Sequence, residues 1–243
     1  MLNFIKKHFF KLNRSLTRRL REALLPKAYQ RLGTKYGGWW IDKNLLENKN
    51  PLLIDCGLGR DISFPMEFLE KHNGYVIGID PDPKSISFCE KIKPKNMDLY
   101  KKAFWKKSGV ALKFHLARSV DKLPKGADES GSVLSSHNYV DGGMEIEVST
   151  TSLSEILTFY NRSTCDVLKL DIEGAEYDVI SDLISSGQIH SIDQLLVEFH
   201  HGVTHFTIND TSKIVEDLKL ANFKLIHIES RNYIFRRTKI IEG

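Results

Sequence analysis

Apolar residues fall into three rhythms along this chain, and each predicts a different kind of element. In residues 4–25, "FIKKHFFKLNRSLTRRLREALL", Ile5, Phe9, Leu12, Leu16, Leu20 and Ala23 recur three or four apart. Lys7, Lys11, Arg14, Arg18 and Arg21 recur in the same way on another face, the spacing of a basic amphipathic helix. From about residue 50 a second rhythm begins: short apolar runs stopped by Gly, Asp or His alternate with stretches of helical spacing. The runs at 51–57, 75–80, 97–105, 165–172 and 194–200 predict strands, and 224–230 and 232–238 predict two more in succession. Helices are predicted at 62–72, after the cap Asp82 and first-turn Pro83, at 152–161 behind a Ser152/Glu155 capping box, at 175–187 closed by Gly187, and at 211–223. The third rhythm has period two, over 109–117, and predicts a hairpin arm paired with 97–105 or with 145–151. Residues 118–143 are rich in Ser, Gly, Asp and Lys and keep no period; a loop that long is more often functional than accidental. The strand–helix succession implies a parallel sheet covered on both faces. The two consecutive strands at the end place an antiparallel strand at or near its edge.

Composition narrows this only a little. With 243 residues, 41% apolar and 27% charged, the chain suits one large domain or one domain with an addition. No apolar run approaches the roughly 18 residues of a membrane span. Cys56, Cys89 and Cys165 lie far apart in apolar surroundings without metal-binding spacing, which suggests reduced, buried thiols and a cytoplasmic setting. Charge is more informative. Residues 1–31 hold nine Lys or Arg against Glu22 alone, so with a net +4 overall the remainder sums to −4. The positive charge therefore belongs to one segment, which argues against nucleic acid as the partner of the whole domain. The expected organisation is a basic helical extension at 1–35 followed by one domain at 36–243. The extension's apolar stripe is expected to pack on protein, with peripheral contact of 1–31 to an anionic membrane as the alternative.

Candidate chemistry sits in the turns that follow the strands. "LLIDCGLGRDISF" puts Gly57 and Gly59 between a strand and a helix, where glycine lets a ligand approach the backbone and the helix start offers free N–H groups. The next strand ends in Asp80, placed to accept the hydroxyls of a ribose. A dinucleotide fingerprint wants a third glycine, yet position 62 is Ile. Asp55, two residues before the first glycine, suits S-adenosylmethionine better, because that ligand carries an ammonium and a sulfonium and no pyrophosphate. Further on, "DVLKLDIEGAEYDVI" places Asp171, Glu173, Glu176 and Asp178 where a buried strand meets a helix. Ligands of open α/β sheets bind beyond the carboxyl ends of strands, so Asp171 and Glu173 should share a crevice with Gly57 and Asp80.

The segment "LKLDIEGAE" resembles the signature of the FkbM family of S-adenosylmethionine-dependent methyltransferases, with matches at Lys169, Asp171, Glu173, Gly174, Ala175 and Glu176. "VSTTSLSEIL", "GLGRDISF" and "YGGWWI" are similar to the flanking segments of that family, so the resemblance runs from about Tyr36 to His200. It implies a Rossmann-like class I methyltransferase fold with a mostly parallel seven-stranded sheet and helices on both faces. It also implies methyl transfer to an oxygen, often on a sugar, glycan, glycolipid or secondary metabolite. Asp55, Gly57, Gly59, Asp80 and Pro81 would then hold the cofactor, Asp61 and Ser63 would line its methionine end, and Ala103 and Phe104 would border the adenine.

An alcohol needs a base as its oxygen is methylated. Asp171 is the first candidate, with binding of the cofactor's ammonium as its rival role, and His200 is the second; Glu173 is grouped with them. His201 and His205 are weaker candidates. A divalent cation on which Asp171, Glu173, Glu176 and His200 converge is an alternative way to activate the hydroxyl. The loop 118–143, with Ser135, Ser136 and His137, is expected to cover the acceptor. The competing readings are a nicotinamide-dependent oxidoreductase, opposed by the missing glycine, and a non-catalytic docking protein with a relict cofactor site.

Overall fold

A computed structural model of the chain describes residues 25–47, 50–118 and 127–238. The amphipathic segment 4–25 and residues 119–126 of the long loop therefore lie almost wholly outside the described residues. In chain order the strands are β1 (Tyr29–Leu32), β2 (Trp39–Asp42), β3 (Leu52–Cys56), β4 (Tyr75–Ile79), β5 (Met97–Tyr100), β6 (Ala103–Phe104), β7 (Ala111–Ala117), β8 (Val140–Thr151), β9 (Cys165–Leu170), β10 (Ile192–Glu198), β11 (Phe223–Glu229) and β12 (Asn232–Arg237). The α-helices are α1 (Ser63–His72), α2 (Pro83–Glu90), α3 (Leu153–Phe159), α4 (Glu176–Ser185) and α5 (Ile208–Leu220). No described helix is long and apolar enough to cross a membrane.

The main sheet has seven strands in the order β11-β12-β10-β9-β3-β4-β5. Only β12 runs against its neighbours, and it lies one place in from the edge. The central strands are buried at every position of β3 and β9, as parallel strands covered on both faces must be. Their side chains alternate between two cores. Leu52, Ile54, Cys56, Leu168 and Leu170 enter one, with α3, α4 and α5. Leu53, Val76, Val167 and Leu196 enter the other, with Phe64 and Phe68 of α1. Cys56, Cys89 and Cys165 are all buried and unbridged.

Four local readings change. Tyr29–Leu32, assigned by the sequence to the helical extension, form a strand paired antiparallel with β2. Leu32, Trp39 and Ile41 of that hairpin are buried in the second core, so burial of its apolar face attaches it to the domain. The run 97–105 is not one strand. It breaks at Lys101 and Lys102, and Ala103–Phe104 leave the main sheet to pair with β8. The period-two arm β7 does pair antiparallel with β8, but β8 begins at Val140, inside the stretch read as loop. The capping box at α3 is half made: the Ser152 hydroxyl accepts the Glu155 N–H, while the Glu155 carboxylate takes the Thr151 hydroxyl.

Candidate active site

The carboxyl ends of β3, β4, β9 and β10 open into one cavity of about 360 Å³. On one side it is bounded by the glycine turn and the β4 end, through Gly57, Gly59, Asp61, Asp80 and Pro81, with Ala103 and Phe104 beyond. On the other side stand Asp171, Glu173, Glu198 and His200. Tyr36, Glu129, Tyr139 and Arg231, from segments between strands, and Trp39 at the start of β2 complete the wall.

The glycine turn is held by its neighbours. The Gly57 N–H donates to the Ile79 carbonyl and the Asp171 N–H to the Cys56 carbonyl. Gly57 has φ +82°, and a Cβ there would lie 1.7 Å from the Asp171 carbonyl oxygen, so only glycine lets the donor-side and acid turns approach this closely. Asp80 accepts the N–H groups of Leu58, Gly59 and Asp82 at 2.8–3.1 Å. Burial pushes its carboxyl up to about 6 despite those bonds. A pyrophosphate cradle needs free turn N–H groups; here two of them are spent on Asp80, which suits a ligand without a pyrophosphate.

Two residues expected at the cofactor stand elsewhere. Asp55 is buried behind the wall, directly opposite Lys169 across the β3–β9 ladder, and its carboxylate lies 3.0 Å from Lys169 Nζ. That ammonium also donates to the Gly57 carbonyl and stands over the Trp39 ring. Asp55 therefore neutralises the lysine that braces the glycine turn. Ser63 also lies off the wall, at the start of α1, where its hydroxyl accepts the Thr34 N–H and its own N–H donates to Asp61.

The acid turn after β9 is organised around His200. Glu176 is fully buried. Its carboxylate accepts the Gly174 N–H, the His200 N–H and the His200 Nδ1–H, so it orients the imidazole and does more than complement a helix dipole. His200 Nε2 then faces Glu173 Oε2 at 3.1 Å and Asp171 Oδ1 at 3.6 Å. Glu173 sits at φ +54°, with its carbonyl held by the Ser132 hydroxyl and its carboxylate 2.9 Å from His137 Nε2. Burial would raise Glu173, but His200 and His137 outweigh it and hold its carboxyl at about 2. Burial would lower His200, but Glu173 and Glu176 outweigh it and raise the imidazole to about 10. Burial and the neighbouring Glu198 push Asp171 up to about 7. A cationic imidazole cannot accept a proton, whereas a carboxylate of raised basicity that is 29% exposed to the cavity can.

The described part of the long loop, from Ala127 to Tyr139, does border the cavity. Arg60 of the glycine turn pairs with Asp128 and Glu129, and Ser136 bonds His205. His201 bonds Thr211; neither His201 nor His205 reaches the cavity wall. Glu198 and Arg231, 2.6 Å apart, are wall residues that the sequence did not suggest. Glu198 had a signal, since it ends a strand two residues before His200. Arg231 comes from the reverse turn before β12 and had none.

The profile of the family described as "Methyltransferase FkbM domain" matches residues 55–230. The 2-O-methyltransferase NoeI of Sinorhizobium fredii (strain NBRC 101917 / NGR234) is 29% identical over 147 residues, which cover 57% of this chain and 59% of that protein. Probable methyltransferase-like protein 24 of Rattus norvegicus is 29% identical over 86 residues, covering 32% of this chain and 24% of that one. This chain thus spans less than two thirds of the length of these curated relatives. Among solved structures, human methyltransferase-like protein 13 in complex with SAH superposes with a TM-score of 0.45 at 13% identity, covering 82% of this chain and 77% of that one.

Proposed function

The chain belongs to the FkbM methyltransferase family, and from that membership we propose that it transfers a methyl group from S-adenosylmethionine to a hydroxyl oxygen of a sugar, glycan or similar small molecule. The observation that carries this reading is the single cavity that joins Asp80 and the glycine turn to Asp171 and His200. The donor half fits the cofactor. Asp80 stands where a ribose would meet a carboxylate, Ala103 and Phe104 offer an apolar border for a base, and Asp61 offers a negative partner for an ammonium. Lys169 is itself part of the wall and fixes the turn, with Asp55 buried behind it. When bound, S-adenosylmethionine supplies an electrophilic methyl carbon, which bonds to the acceptor oxygen as the carbon–sulfur bond breaks and its electron pair returns to sulfur.

The chain's own residues align the acceptor and receive its proton. Alignment supplies much of the acceleration of such a displacement. Asp171 takes the hydroxyl proton, because it faces the cavity and its basicity is raised, while His200 stays cationic and holds Glu173 in place. Tyr36 offers an aromatic ring on the cavity wall. The 2-O-methyltransferase name of NoeI supports oxygen as the methyl acceptor. Packing of the apolar stripe of segment 1–31 on protein, with peripheral contact to an anionic membrane as the alternative, accompanies this reading; most of that segment lies outside the described residues.

The test is transfer of label from methyl-labelled S-adenosylmethionine to a panel of monosaccharides, glycans and glycolipids. We expect an acceptor that gains one methyl ether and loses one free hydroxyl. Label appearing only on amine or thiol acceptors would overturn the oxygen assignment.

A further inference from the structure

We propose that the Glu198–Arg231 pair binds a second hydroxyl of the acceptor, on the carbon next to the one whose oxygen is methylated, so that the cavity selects a vicinal diol; this rests on the methyl-transfer reading with Asp171 as the base.

Strand register sets the spacing. β10 runs parallel to β9 with Val197 opposite Leu170. The next residues, Glu198 and Asp171, therefore leave adjacent strand ends side by side, and both line the cavity. One carboxylate oxygen of each lies within 4.8 Å of the other, about the separation of neighbouring strands. With O–H···O bonds of about 2.7–2.8 Å, hydroxyls on adjacent carbons can each reach one of these oxygens. The hydroxyl at Asp171 gives up its proton to the base, and the hydroxyl at Glu198 anchors the acceptor in that pose.

The fold does not need the ion pair to hold its backbone here. Arg231 stands in the turn between β11 and β12, and its own carbonyl accepts the Phe199 N–H, which fixes the turn without the side chain. The side chain instead reaches Glu198 through a single contact, Nη2 to Oε1 at 2.6 Å. Among the described residues this is the one hydrogen bond that either side chain makes. Both side chains are partly open, 22% exposed for Glu198 and 35% for Arg231. The second Glu198 oxygen and the other guanidinium N–H groups are thus available to a ligand.

The chemistry of the pair selects the group that binds there. A carboxylate only accepts hydrogen bonds and a guanidinium only donates them. Side by side they suit a group that does both, and a hydroxyl does. An ammonium in that position would face the Arg231 charge. A carboxylate or phosphate would face Glu198 and Asp171.

The test offers labelled S-adenosylmethionine together with methyl hexopyranosides of gluco, manno and galacto configuration and with their monodeoxy forms. We expect the methyl on a hydroxyl whose neighbour is free. Deleting that neighbouring hydroxyl should lower kcat/KM by about ten- to a hundredfold, the worth of one hydrogen bond to a charged group. In the double variant Glu198→Ala with Arg231→Ala, which leaves neither charge unpaired, the same deletion should cost less than about threefold, because the interaction is already absent. Donor affinity of that variant, measured by calorimetry, reports that it is folded. A deletion that costs as much in the folded variant as in the wild type would overturn the subsite. So would equal wild-type turnover of cyclohexanol and cyclohexane-1,2-diol, a comparison that needs no variant. Donor binding with transfer to none of the diols would overturn the subsite alone and leave methyl transfer standing. A wild type that binds no donor would overturn the methyl-transfer reading, and the subsite with it.

Discussion

Asp171→Asn is expected to lower turnover by about 10²- to 10⁴-fold, the usual contribution of a general base, while the affinity for S-adenosylmethionine changes by no more than a few-fold. The substitution keeps the shape of the side chain and removes its basicity. It leaves Lys169 paired with Asp55 at 3.0 Å and His200 paired with Glu176 at 3.1 Å. The wild-type pH profile should carry the same signature. Burial and Glu198 raise Asp171 to about 7, so the base is protonated and inactive below that value. The rate should rise with pH through neutrality, and the asparagine variant should lose that limb. Stopped assays with labelled donor, combined with calorimetry, separate the outcomes. A rise in the donor dissociation constant that accounts for the whole loss would make Asp171 an anchor for the cofactor's ammonium.

The second large effect is on stability. Lys169 and Asp55 are opposed across the ladder between β9 and β3 and almost completely buried. Taking one partner from a buried pair leaves an uncompensated charge, at a typical cost of 3–5 kcal/mol. Lys169→Met should therefore destabilise the fold by about 3 kcal/mol or more. It should also loosen the glycine turn, because the lysine donates to the Gly57 carbonyl. Adding Asp55→Leu to Lys169→Met should recover part of the loss, since it removes the uncompensated carboxylate, while the Gly57 carbonyl and Asp171 stay without the ammonium that faced them. Denaturant melts of the two single variants and the double variant measure this coupling directly. A loss under about 1 kcal/mol in Lys169→Met would show that the pair contributes little.

These two residues illustrate what could be seen in the sequence. The strand-end position of Asp171 follows from a buried apolar run ending in an acid, and the sheet topology then brings it to the crevice. The partnership of Asp55 with Lys169 depends on the register between β3 and β9, 114 positions apart for those two residues, and register leaves no local mark. The central strands were legible because burial on both faces demands continuous apolar runs. The β1–β2 hairpin was not. Tyr29–Leu32 is short and carries Gln30 and Arg31, and long-range packing of Leu32, Trp39 and Ile41 fixes it. The break between β5 and β6 was hidden for the same reason: Ala103 and Phe104 look like a strand, but which strand they join is a tertiary choice. At the site, the glycines, Asp80 and the acid turn were readable as types at meaningful spacings. Arg231 and the buried role of Glu176 needed coordinates, because each acts on a partner brought close only by folding.

The central claim is that the glycine turn and Asp80 hold S-adenosylmethionine. Calorimetric titration of that ligand into the wild type and Asp80→Asn, with the nicotinamide dinucleotides as controls, tests it most directly. We predict saturable binding to the wild type, none by the dinucleotides, and an affinity about tenfold weaker in Asp80→Asn, a loss of roughly 1.4 kcal/mol. A folded wild type that fails to bind S-adenosylmethionine, or binds a nicotinamide dinucleotide in its place, would contradict the account.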